Sequence, residues 1–355
     1  MQDRAILGVD NVFYSRIELI ERANSFEFGD MSPYQIHFWH FIQRWFDESD
    51  TINLKTSGST GVPKVITVPK DRMRKSAQRT VKFFQLAPSS KALLALSAEY
   101  IAGQMMIVRA IEGQLNLILV EPSSTPLDSL NEFVDFATLV PMQLSKYSNH
   151  HEKLQLIGKL IVGGAAVSKS IEHILADCAV EAYESYGMTE TLSHIALRRI
   201  NGVEKERTFR PLDGVKIGVD DRGALTIFDP LTLDEPVQTN DIACIENDGT
   251  FRIVGRVDNV INSGGVKVSP EELEHIISSF ISSPFAISWV NDERLGQRVV
   301  LVSIKNFEPE ELYKLNEKLP KYKRITKSFC VDEIPLLISG KLDRLKLQTL
   351  VEKLT

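Results

Sequence analysis

Cysteine is scarce: Cys178, Cys244 and Cys330 are odd in number and far apart, which fits neither a disulfide framework nor a zinc site. They are expected as small buried hydrophobes. Residues Met1 to Asp10 lack the apolar core of a signal peptide, and no run of about 18 apolar residues occurs, so neither a leader nor a spanning helix is expected. A cytoplasmic protein with no membrane partner is the expectation. A basic excess is also missing. Lys and Arg number 41 against 47 Asp and Glu, a net charge of -6, so no broad positive field would draw nucleic acid or an anionic surface. A small anionic substrate must therefore be met by local cations. No repeat or low-complexity tract is present, which removes solenoid and linker readings.

What is present is enough for two domains: 355 residues, 43% of them hydrophobic. The most distinctive stretch is Thr56-Ser57-Gly58-Ser59-Thr60-Gly61-Val62-Pro63-Lys64. Its glycines let backbone N–H groups approach a polyphosphate, its hydroxyls add donors without charge, and its lysine adds a compact cation. It is not the Walker loop, which runs into a helix. Here Lys64 leads into Val65-Ile66-Thr67-Val68, which alternates like a strand. The loop should join two strands, and a plain Ser/Gly hairpin is the competing reading.

The spacing predicts helices over 33–46 and 70–85, the second with Met73, Ala77, Val81 and Phe84 on one face and Arg72, Arg74, Lys75 and Arg79 in solvent. A helix-then-strand alternation follows: 103–112 and 115–120, 127–136 and 138–140, 143–149 and 154–162, 169–177 and 180–184. It argues for an α/β fold with a mainly parallel sheet flanked by helices, whose ligands sit beyond the carboxyl ends of the strands. Two elements fall there. One is Gly163-Gly164-Ala165, after the strand ending at Val162; the other is Ser185-Tyr186-Gly187-Met188-Thr189-Glu190, after the strand ending at Glu184. Tyr186 could stack on a nucleobase, Thr189 donate to a phosphate, and Glu190 hold a magnesium ion. A turn tyrosine and a solvated glutamate are the alternative.

The loop at Thr56–Lys64, the Tyr186–Glu190 segment and the later motifs together resemble the acyl-adenylate-forming enzymes: acyl-CoA synthetases, peptide synthetase adenylation domains and luciferases. Arg207–Ile217 looks like that family's Arg-Pro-x-x-Gly segment. Thr239-Asn240-Asp241 matches its Thr-Gly-Asp motif with asparagine in place of glycine, a change expected to be tolerated because asparagine accepts positive φ. Gly255-Arg256-Val257-Asp258-Asn259 corresponds to the family's hinge, which places a boundary between a large domain at 1–257 and a smaller, mobile α+β domain at 258–355. Gly264 and Gly265 precede a helix started by Ser269-Pro270, and Gly340-Lys341-Leu342-Asp343-Arg344 resembles the final motif.

The resemblance implies roles. Thr56, Ser57, Gly58, Ser59, Thr60, Gly61, Lys64, Gly164, Ala165, Tyr186, Gly187, Asp241 and Arg256 would bind ATP or AMP, with Asp241 on the ribose. Lys341, Glu190 and Thr189 would be catalytic, Glu190 also holding magnesium. Asp258 would be the pivot, Gly264 and Gly265 would flank coenzyme A, and Tyr100 and Gly163 would wall the acyl pocket. The chain is shorter than typical members, the difference lying ahead of the phosphate loop. Among short members it looks most like the o-succinylbenzoate-CoA ligases of menaquinone synthesis, although Glu99-Tyr100 stands where those carry Phe-His. ATP, magnesium, coenzyme A and a small carboxylic acid are the implied cofactors and partners. Loading of a carrier protein and a noncatalytic nucleotide-binding role are the rival readings, and a homo-oligomer stays open.

Overall fold

The computed structural model describes residues 5–25, 31–55, 65–281, 283–337 and 341–355. The chain divides into two compact units, residues 1–216 with 228–237, and residues 217–227 with 238–355.

The first unit opens with a hairpin, β1 (Leu7–Val9) and β2 (Val12–Tyr14), and α1 (Arg16–Asn24). Ser15 and Glu18 start α1 with a capping box in which each satisfies the other's backbone N–H. In α2 (Pro33–Phe46) the aromatic stripe is core: Phe38, Phe41, Ile42 and Trp45 are buried. Next come β3 (Thr51–Lys55), β4 (Val65–Pro69) and α3 (Lys70–Phe83). The cations of α3 are less free than its amphipathic pattern implies. Arg79 is buried against Asp229 at 2.8 Å, and Arg72 pairs with Asp234, so α3 fastens the 228–237 segment.

The alternation then gives β5 (Lys91–Leu94), α4 (Ile101–Gly113), β6 (Asn116–Leu119), β7 (Val134–Leu139), α5 (Pro141–Ser145), α6 (His151–Leu154), β8 (Ile157–Val162), α7 (Lys169–Ala176), β9 (Glu181–Gly187), β10 (His194–Arg199) and β11 (Arg210–Pro211). The nine-stranded sheet has the order β11-β10-β9-β8-β7-β5-β6-β1-β2. It is parallel from β9 through to β1 and antiparallel at both margins. Its strands are apolar on both faces, as a sheet covered on both sides requires: Ala92 and Leu94 join one core, Leu93 and Ala95 the other. Because β6 lies on one side of β5 and β7 on the other, the winding reverses there, the usual place for a ligand crevice.

One expected helix is absent. Residues 127–133 form turns and loop, and β7 begins at Val134. Leu127 and Leu130 mimic a helical period but reach the core from a turn held by the Tyr147 hydroxyl, which accepts the Leu127 N–H at 2.7 Å.

The second unit contains a four-stranded sheet, β12 (Lys216–Val219), β13 (Ala224–Phe228), β14 (Val237–Ile245) and β15 (Phe251–Arg256). Gly223 and Gly249 turn its hairpins at positive φ, as the Asp-Arg-Gly and Asn-Asp-Gly signals predict. After a 3₁₀ turn at Val257–Asn259 come β16 (Ile261–Ser263), β17 (Val266–Val268), α8 (Pro270–Ile277), β18 (Phe285–Asp292), β19 (Gly296–Ser303), α9 (Pro309–Asn316), β20 (Lys327–Cys330) and α10 (Arg344–Leu354). Strands β16 to β20 form one sheet. Ser269 caps α8 by accepting the Glu272 N–H at 3.2 Å, while the Glu272 carboxylate pairs with Lys323. The pivot expected at Asp258 lies within this compact unit, since the four-stranded sheet groups with the elements after it.

Candidate active site

Within the first unit, β3 and β4 pair antiparallel with Lys55 opposite Val65, so the segment 56–64 joins two strands. Thr56, Ser57, Gly58, Ser59, Thr60, Gly61 and Lys64 themselves lie outside the described residues.

The next elements lie at the carboxyl ends of adjacent parallel strands. At the end of β8 the Gly163 N–H donates to the Leu139 carbonyl at 3.1 Å, and a Cβ on Gly163 would lie 2.7 Å from the Ser185 hydroxyl. Gly164 is exposed with φ +86, a conformation only glycine adopts without strain; Ala165 follows it. In β9 the strand does not stop at Glu184 but continues through Gly187, because β10 folds back and pairs with it, Ala196 opposite Tyr186 and His194 opposite Gly187. Tyr186 therefore projects from a strand, its ring 5.9 Å from Phe209. A Cβ at Gly187 would lie 2.3 Å from the Ser193 carbonyl, so the reversal needs glycine there.

Thr191, wholly buried, braces the turn by accepting the Met188 N–H at 3.0 Å. That turn keeps Thr189 buried and leaves Glu190 exposed. Among the described residues no group of three or more His, Cys, Asp or Glu side chains is placed to hold a metal. One exposed carboxylate such as Glu190 nevertheless fits magnesium, which keeps its waters and takes further oxygens from phosphates.

Two buried groups here escape sequence reading. Glu184, 5% exposed, accepts the Val167 N–H at 2.8 Å and Arg198 Nε at 2.9 Å, tying the Gly163–Val167 loop to β9. Burial pushes the Glu184 carboxyl up, with Arg198 opposing; burial would lower Arg198, but Glu184 and Glu172 outweigh it and raise it. Arg109, in the middle of apolar α4, donates to the Ser193 hydroxyl at 2.6 Å while its buried Nε has no partner. Burial brings its guanidinium down to about 10. Burial also holds His194 well below the usual imidazole range, and Arg109 and Arg79 add to this, so His194 is neutral. A charged residue inside the run Met105-Met106-Ile107-Val108-Arg109-Ala110-Ile111 was the available signal.

At the start of α4, Tyr100 is half-exposed, and Glu99 is paired with Lys55 at 3.2 Å. The Glu99 charge is thus offset by a neighbour.

Within the second unit the structure gathers Asp241, Arg256, Asp258 and Lys341. Asp241 faces Arg256 across β14 and β15, and the guanidinium donates to Asp241 at 2.7 Å and to Asp258 at 3.1 Å. Burial alone would lower Arg256, but the two carboxylates raise it. Lys341 adjoins the isolated bridge between Leu336 and Leu342, and Arg344 after it is anchored on Glu271 and Glu274. Loss of hydration lowers the Lys341 ammonium, Arg256 adding to this and Asp241 opposing it.

Asn240 differs from expectation. It lies in β14 without positive φ, so its backbone does not need glycine-like freedom. Its side chain instead donates to both Asp258 oxygens at 3.2 and 3.0 Å. Gly264 and Gly265 both have positive φ in the two-residue turn between β16 and β17, as a type I′ hairpin requires.

The family model described as AMP-binding enzyme matches residues 27–226. A 2-succinylbenzoate–CoA ligase of Lactococcus lactis is 25% identical, the match covering 96% of this chain and 80% of that one. A solved structure of an acyl-CoA synthetase (AMP-forming)/AMP-acid ligase II-like protein from Dyadobacter fermentans shares 34% identity over 94% of this chain and 97% of its own, with a TM-score of 0.62. The o-succinylbenzoate coenzyme A synthetase of Bacillus subtilis, solved with ATP and a magnesium ion, shares the fold at 22% identity and a TM-score of 0.70, over 83% of this chain and 69% of its own.

Proposed function

This chain belongs to the AMP-binding enzyme family, and from that premise we propose that it is an AMP-forming acid–thiol ligase acting on o-succinylbenzoate with coenzyme A. The observation that carries the reading is the grouping of Asp241, Arg256 and Lys341 in one cluster of the second unit; separately, within the first unit, Tyr186 lies in β9 and Thr189 and Glu190 on the turn that follows it.

A carboxylate does not acylate a thiol at neutral pH because hydroxide is too poor a leaving group. In the first half-reaction a carboxylate oxygen of the acid attacks the α-phosphorus of ATP, the bond to the β-phosphate oxygen breaks, and pyrophosphate leaves. Two anions must approach, so catalysis is mainly placed positive charge. Lys341 meets the carboxylate and α-phosphate, Lys64 with the donors of its loop meets the outer phosphates, and Asp241 accepts from the ribose hydroxyls. Glu190 would hold magnesium, which when bound would supply positive charge against the phosphates. In the second half-reaction the thiolate of coenzyme A attacks the acyl carbon and AMP departs. A turn of the backbone at Asp258 withdraws Lys341 and brings the Gly264–Gly265 hairpin to the pantetheine arm.

The choice of acid draws on the Lactococcus ligase.

The test is pyrophosphate release across aromatic and aliphatic acids, with the thioester identified by mass spectrometry. Release with o-succinylbenzoate and a coenzyme A thioester product is the expected result. Release without thioester points to another acceptor, and no release with any acid overturns the reading. Lys341→Ala should reduce adenylate formation by at least 100-fold, on the order of one lost transition-state charge contact, while thioester formation from supplied acyl-adenylate continues.

A further inference from the structure

We propose that Asn240 is a positioning residue for the pivot: its amide holds the Asp258 carboxylate and biases the backbone there toward the conformation seen in this structure. The inference rests on the reading of Asp258 as the pivot given above.

Asn240 stands where the resembling motif has glycine, so this contact belongs to this chain's own sequence. Its orientation is fixed by chemistry. Arg222 Nη1 donates to the Asn240 carbonyl oxygen at 3.0 Å, and the amide nitrogen faces Asp258 at 3.2 and 3.0 Å. Rotating the amide by half a turn would set its N–H groups against the guanidinium and its oxygen against the carboxylate, so only one orientation satisfies both neighbours. Arg222 is itself held by Asp220 at 2.7 Å and donates to the Thr239 carbonyl at 3.0 Å. Asp258 receives a further donor from Arg256 at 3.1 Å. Asp220, Arg222, Asn240, Asp258, Arg256 and Asp241 thus form a chain of alternating acceptors and donors across the hairpins. It connects Asp258 to Asp241.

A carboxylate held by three donated bonds does not turn with its backbone unless some of them break. Hydrogen bonds to a charged acceptor contribute more than neutral ones, and water competes at this part-exposed site. Removing the amide should therefore shift the balance between conformations about three- to tenfold.

The test compares wild type with Asn240→Ala and Asn240→Asp, using o-succinylbenzoate and coenzyme A as probes. Two rates are measured: pyrophosphate exchange, and thioester formation from supplied acyl-adenylate. Tryptic cleavage after Arg256 gives a third readout that needs no activity. In Asn240→Ala the ratio of the second half-reaction to the first should rise at least threefold and cleavage should quicken by a similar factor. Asn240→Asp, with a like charge facing Asp258, should do both more strongly. Unchanged rate ratios and cleavage in both variants overturn the proposal. If wild type exchanges no pyrophosphate, the ligase reading fails, and cleavage alone then decides whether Asn240 restrains Asp258.

Discussion

In the proposed adenylation Lys341 acts as the ammonium, and the structure lowers its proton affinity through lost hydration and Arg256. The adenylation rate should accordingly fall as pH rises through a value below the ordinary lysine range. Asp241 opposes the shift, so Asp241→Asn should move that alkaline limb to still lower pH, whatever it does to the absolute rate. A pH profile of pyrophosphate exchange in both proteins checks the sign. Glu184 is a different kind of residue, a buried acceptor that positions the Gly163–Val167 loop. Glu184→Gln keeps an acceptor for the Val167 N–H but leaves Arg198 with Glu172, at 3.0 Å, as its one carboxylate among the described residues. The expected cost is about 3 kcal/mol, the lower end for breaking a buried ion pair, read from urea unfolding, together with a raised KM for ATP. Asp241, Arg256 and Lys341 stand out in the sequence because each sits in a short motif, and the structure brings the three together. Glu184 and Arg109 were not: their partners Arg198 and Ser193 are distant in the chain, and only the folded sheet brings them near.

Among the elements, period and punctuation read well where a helix or strand stands between clear turn residues. The stripe in α2, the α8 cap at Ser269 and the turns at Gly223 and Gly249 all match. The reading failed where tertiary pairing decided the outcome. β9 lengthens through Gly187 because β10 returns to pair with it, and 127–133 is loop despite a helical spacing of leucines. The hairpin between β16 and β17 offers a graded test. A Cβ on Gly265 meets nothing within 4 Å, whereas one on Gly264 would lie 2.9 Å from Leu295 Cδ2. Gly265→Ala should cost about 1 kcal/mol from positive φ alone, and Gly264→Ala more, because Leu295 must also move. Thermal unfolding of the two variants should rank them in that order.

Among the described residues, these apolar clusters of the C-terminal elements draw their members from 261–351, from Ile261 to Val351. A fragment of residues 259–355 therefore contains its own core at about the size of an ordinary domain. It should unfold cooperatively when expressed alone, with a sigmoidal denaturant curve by circular dichroism; a gradual curve would show that it depends on what precedes it. The boundary foreseen at 257/258 and the grouping by compactness differ because β12 to β15 sit in a sheet of their own that no hydrophobic period announces.

The strip 228–237 returns to the first unit, where Asp229 is buried against Arg79, so the chain crosses between the compact units three times, after 216, 227 and 237. Beyond Arg256 a single strand of backbone carries on. For two-fragment complementation this selects the cut site. Severing the chain just after Arg256 leaves the apolar clusters of residues 261–351 whole, whereas a break between 217 and 237 would split the four-stranded sheet and strand its halves.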